Sequence, residues 1–169
     1  MTSRLLIFSS LLLAAGLRAA TVSGSIELRE SHSDAVSRHR DFSGVVISLQ
    51  DTTNPAAPVP EKHAVMMQKN KTFTPHVLPV LAGTKIDFPN DDPIFHNAFS
   101  TYSGQIFDVG LYPPGTSRTV RFPRPGIVHV FCNIHPTMSA MILVLSTPHF
   151  ATTPHDGSFH LDVPPGTYH

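Results

Sequence analysis

The chain's one cysteine, Cys132, lies in the stretch FCNIHPTM, with His135 and Met138 following it in the same short segment. A thiolate, an imidazole and a thioether so close together form a soft donor set. Sulfur ligands select copper(I), and imidazole suits both copper oxidation states. A trigonal site needs a second imidazole, best taken from another strand so that the fold fixes its position. The segment FPNDDPIFHNAFS offers His96. His96, Cys132, His135 and Met138 then make two imidazoles, one thiolate and one weak axial thioether, the donor set of a blue-copper centre. One copper per chain is the expectation. Other chemistries compete for these residues. Cys132 can be an inert core thiol with Met138 as a gap filler. It can be a nucleophile with His135 or His96 as its base, although no acidic orienter or oxyanion-hole motif stands out. Zinc is a further candidate, but structural zinc sites usually avoid methionine. A binuclear copper centre would need a second cysteine.

The segments around these residues read as β-structure. GIVHVFCN places Val128, Val130 and Cys132 on one face and Ile127, His129 and Phe131 on the other, so Cys132 ends a strand with an apolar inward side. AMILVL is apolar on both faces and is expected to be covered on both. The loop between them, NIHPTMS, has an ordinary connection length. Upstream, TVSGSIELRE and SGVVISLQD alternate as strands, SHSDAVSRHRD is unpatterned and reads as a loop, and TTNPAAPVPE is a proline-rich connector. From HAVMMQ onward, short Val-, Ile- and Phe-rich runs recur between Gly, Pro, Asn and Asp. Sixteen prolines and ten glycines, with no long helical periodicity, leave a β-sandwich or barrel.

PNDDPIFHNAF and HVFCNIHPTM together resemble the cupredoxins, the plastocyanin and amicyanin group, over about His63 to Leu145. The C-x2-H-P-x-M loop is similar to the short ligand loop of amicyanins. The resemblance implies an all-β, Greek-key β-sandwich with copper at one end and one-electron transfer as the activity, not catalysis. It implies His96, Cys132 and His135 as strong ligands and Met138 as the axial one. It gives Asn97 a supporting role, bracing the two ligand loops and placing a backbone donor near the sulfur. It also implies electron passage at the exposed edge of His135, where Pro93, Ile94, Phe95 and Pro136 would form an apolar patch for transient docking of a redox partner. The same ligands would serve a copper-binding or delivery protein without a redox partner. Farther on, DGSFHLDVPPGTYH resembles the start of a carboxypeptidase-regulatory-like β-domain.

Residues 1–20 carry Arg4, an apolar run and then small residues, the layout of a cleavable secretory signal. The expected organisation is therefore a signal over 1–20, a strand extension and linker over 21–62, a cupredoxin domain over 63–146 and a β-like tail over 147–169. A periplasmic or secreted location follows, with no integral membrane segment after cleavage. Without the signal, ten basic residues face twelve acidic ones, which gives no field for attracting nucleic acid. A monomer is expected. His32, His39, His63 and His76 read as solvated, and His129 as packed or exposed.

Overall fold

The computed structural model describes residues 19–52, 60–101 and 104–169. Residues 1–18, most of the expected signal, and residues 53–59 of the proline-rich connector lie outside them. The elements are β1 (Ala20–Ser25), α1 (Asp34–His39), β2 (Val46–Ser48), β3 (Ala64–Val65), β4 (Met67–Lys69), β5 (Thr72–Thr74), β6 (Val77–Leu81) and β7 (Thr84–Pro89). They continue with β8 (Phe99–Ser100), β9 (Phe107–Asp108), β10 (Ser117–Phe122), β11 (Gly126–Phe131), β12 (Ser139–Leu145), β13 (Phe150–Thr152) and β14 (Ser158–Val163).

Two sheets share one core. The first runs β6-β12-β11-β8-β9, with β6 parallel to β12 and the other pairs antiparallel. The second runs β10-β7-β3, with β3 parallel to β7. Period-two alternation explains their contact. Val128 and Val130 of β11, and Ala140, Ile142 and Val144 of β12, are buried against Ile86 and Phe88 of β7 and Phe122 of β10. Each of the Val, Ile and Phe side chains contributes roughly 1.5–3 kcal/mol by leaving water. The fold is an all-β sandwich, as the strand rhythm predicts. The alternate residues of β12, Met141, Leu143 and Leu145, are half-buried, so this strand is fully covered on one face and only partly on the other.

The two chain ends pair with each other. β1 runs antiparallel to β14 from Ala20↔Val163 to Ser25↔Ser158, β2 pairs with β13, and Asp51 bridges Tyr168. Gly157 is required in this seam. It adopts a φ of +72°, and a Cβ there would stand 2.1 Å from the Ile26 carbonyl oxygen. Among the described residues no helix is long and apolar enough to cross a membrane.

The stretch expected to be a loop before β2 contains α1 instead. Asp34 lies in its first turn and Arg38 and His39 in its last, matching the helix dipole, and Arg38 pairs with Asp34 at 3.3 Å. Arg40, in the left-handed region, ends it by donating its N–H to Val36 O at 3.0 Å. No residue of α1 is buried, so it leaves no apolar stripe in the sequence.

Candidate metal centre

Cys132 follows directly on β11 and continues its inward face, 3% exposed. The chain then turns back on itself. Met138 N donates to His135 O at 2.9 Å, and Cys132 N to Met138 O at 3.3 Å, which closes the loop. His96 arrives from the other side, after the loop that follows β7. Asn90 organises that loop: its Nδ2 donates to Ile94 O at 2.8 Å and to Tyr112 O at 3.3 Å, and its Oδ1 accepts from Asp92 N at 3.1 Å. A reciprocal backbone bridge with Tyr112, at 3.2 and 2.9 Å, then fixes His96.

These elements bring three donors to one point. His96 Nδ1 lies 3.9 Å and His135 Nδ1 3.8 Å from Cys132 Sγ, and the three ligand atoms all lie within 4.8 Å of one another. The imidazole rings are 4.8 Å apart at 59°. A trigonal ion with bonds of about 2.0–2.3 Å needs donors roughly 3.5–4 Å apart. The two sulfur–nitrogen separations fit such an ion. Met138 is buried in the same loop, 1% exposed, whereas Met141 is half-buried on β12, paired in register with His129. Among the described residues, the other histidines form no comparable cluster with cysteines or carboxylates.

The two ligand loops are tied together by Asn97, which is fully buried. Its Oδ1 accepts from Asn133 N at 3.2 Å, and its Nδ2 donates to Asp108 Oδ1 at 2.7 Å. Asn97→Ala removes both bonds, each worth about 0.5–1.5 kcal/mol. The copper-loaded variant is expected to keep its metal while its unfolding midpoint falls and its reduction potential shifts. Unchanged melting and potential would remove Asn97 from this role.

The electrostatics are those of a closed site. Burial pulls the His135 imidazole below its usual pKa, and the nearby His96 ring and Lys71 ammonium act in the same direction. Burial also pushes the Tyr112 hydroxyl up, with negative charge on Cys132 adding to it, and that hydroxyl donates to Phe88 O at 2.9 Å.

One group the sequence reading missed stands behind His96. Asp92, 7% exposed, accepts from His96 Nε2 at 2.8 Å, and from the backbone N–H groups of Asn70 at 2.6 Å and Lys71 at 2.8 Å. Burial alone would raise this carboxyl, but those donors outweigh it and hold the group below the ordinary Asp value. Its signal was present, since Asp92 lies four residues before His96 in PNDDPIFHN, but four residues in a loop define no direction. The acidic orienter found wanting in the sequence therefore exists. His63 is exposed, as expected, and faces Asp87, with Nδ1 3.0 Å from both carboxylate oxygens. His129 is half-buried and stacked on Phe131 at 6.4 Å.

No family model and no curated protein matches the chain. Solved structures do. A copper-containing nitrite reductase from Thermus scotoductus SA-01 matches 57% of this chain at 23% identity and a TM-score of 0.48, and this chain spans 25% of that protein. A purple cupredoxin from Nitrosopumilus maritimus matches 48% of this chain and 99% of its own, at 21% identity and a TM-score of 0.44. The reduced Cu(I) form of an amicyanin variant matches 59% and 98%, at 15% identity and a TM-score of 0.47. The chain is similar to cupredoxins. All three matches fall below 25% identity and a TM-score of 0.5, so what this site can do is read from its own side chains.

Proposed function

We propose that the chain is an exported one-electron carrier built around a single mononuclear copper. His96 Nδ1, Cys132 Sγ and His135 Nδ1 would hold the ion, with Met138 as a weak axial donor. The observation that carries this reading is the convergence of two imidazole nitrogens on one buried thiol, at 3.9 and 3.8 Å. Bound copper supplies a one-electron couple whose two states prefer different geometries. The protein's part is to keep its donors still across that change. Cys132 ends a strand, His96 is locked by its bridge to Tyr112, and Asn97 ties the loops together.

Two other uses of these residues fit less well. A Cys132 nucleophile would have His96 as base and Asp92 as orienter, the arrangement of a catalytic triad. Yet Cys132 is 3% exposed and His96 fully buried, which leaves a substrate no approach to the sulfur. Burial also weighs against a delivery protein, because metal could leave only after the loops open. A carrier, by contrast, needs only an edge close to the surface. His135 is half-buried, and Phe95, Leu111 and Ile134 on the adjoining segments are exposed. These apolar residues support a small patch for transient docking of a redox protein near His135.

One equivalent of copper(II) is expected to give an intense colour from thiolate-to-copper charge transfer and a reversible one-electron couple. Bound but colourless copper(II) would end this reading, and coloured copper lost to a mild chelator within seconds would favour delivery. The axial assignment has its own test. Met138→Leu should keep copper and colour while raising the reduction potential, since losing a thioether disfavours copper(II). Met141→Leu, a volume-conserving swap on β12, should cost less than about 1.5 kcal/mol and leave the spectrum unchanged. The reverse pattern would transfer the axial role to Met141.

A further inference from the structure

β4 and β5 are joined by a two-residue turn, Asn70–Lys71, with Lys69 paired to Thr72. Both turn residues have positive φ, 54° and 55°, the signature of a type I′ hairpin. Such a turn leaves its own N–H groups without ladder partners. Here both donate to one carboxylate, Asn70 N to Asp92 Oδ1 and Lys71 N to Asp92 Oδ2. The third contact to that carboxylate is His96 Nε2, on Oδ2. Asp92 N is itself held by Asn90 Oδ1, so the side chain is anchored at its base and at both oxygens.

We infer that Asp92 is a positioning residue for the metal centre, aiming His96 Nδ1 at Cys132 through a carboxylate that the β4–β5 turn holds in place. The carboxylate is used as an acceptor on both oxygens, so the hydrogen of the Asp92–His96 bond is the imidazole's Nε2–H. In the neutral ring that assignment leaves the Nδ1 lone pair free, and Nδ1 is the nitrogen 3.9 Å from Cys132 Sγ. A carboxylate behind a ligating imidazole fixes its tautomer and rotation and strengthens it as a donor. The turn, although remote in sequence from every proposed ligand, thus belongs to the support of the site. The consequence for metal affinity rests on the copper reading above, whereas the tautomer does not.

The experiment uses the full chain, its Asp92→Asn variant and an Asp91→Asn control. Asp91 is exposed and its carboxylate meets Lys69 at 2.6 Å, away from His96. Nitrogen-15 spectra of the metal-free wild type should show His96 as the Nε2–H tautomer with a slowly exchanging proton. No variant is needed for this, so it decides the matter even if Asp92→Asn fails to fold. In Asp92→Asn one oxygen becomes an NH2 that opposes a donor. Copper(II) affinity should then fall about tenfold to a hundredfold, with a rise in reduction potential, while Asp91→Asn stays within about twofold of wild type. An Nδ1–H tautomer in the wild type, or a folded Asp92→Asn with copper affinity within twofold of wild type, overturns the inference. A wild type that binds copper without colour would sink the copper reading instead, and the tautomer would still decide the role of Asp92.

Discussion

Cys132→Ser is expected to be colourless with copper(II), whatever metal it retains. The colour of such a centre is charge transfer from a thiolate, and this chain has one thiol. Serine is nearly isosteric, and Cys132 is buried at the end of β11 with its N–H already bonded to Met138 O, so the fold should survive the change. What changes is the donor. A neutral hydroxyl is a hard, weak ligand, and the soft thiolate that selects copper(I) is gone, while the two imidazoles beside it suit either oxidation state. Copper(I) affinity should therefore fall more than copper(II) affinity, and the reversible couple should disappear. The visible spectrum and a voltammogram of wild type and variant decide it. A serine variant that stayed blue would mean that the chromophore is not at Cys132.

The second large effect is on stability. Phe88→Ala should cost about 3–5 kcal/mol, a sizeable part of the about 5–15 kcal/mol that holds a typical domain together. Phe88 is fully buried where the two sheets meet, with its ring 5.9 Å from that of Phe107, and its carbonyl takes the Tyr112 hydroxyl. Truncation leaves a cavity on the β7 side, next to the strand that leads into the His96 loop. For a chain of this size the melting midpoint should fall by roughly 6–20 °C. Ile127→Ala is the matched control. Ile127 lies on the outward face of β11 and is 51% exposed, so its loss should cost under about 1 kcal/mol. Thermal unfolding of the metal-free proteins measures both. Equal costs at the two positions would contradict the inward and outward faces assigned to β7 and β11.

Most of the cluster of His96, Cys132 and His135 could be read from local sequence. Cys132, His135 and Met138 share one short loop, and the alternation of β11 alone points Cys132 inward with Val128 and Val130. His96 and Asn97 could be named from one dipeptide in a polar loop followed by a strand. The all-β class was legible for the same reason, since period-two alternation and Pro/Gly punctuation act within each segment. α1 was not, because an exposed helix with no apolar stripe has only its end charges and the Arg40 C-cap to mark it, features a polar loop can also contain.

Donor types and strand faces were thus determined by the sequence itself, through residue types and short-range periodicity. Tertiary structure alone decided which distant segments meet. Nothing in β1 or β14 specifies the other, since register between strands separated by most of the chain depends on everything folded between them. Asp92 is the same case within the site. It sits close to His96 in sequence, yet its role depends on a hairpin turn that presents two N–H groups to it and on burial that removes competing water. A ligand's identity is carried by one residue, whereas its orientation is set by the contacts of several elements, and those exist only once the sheets have packed.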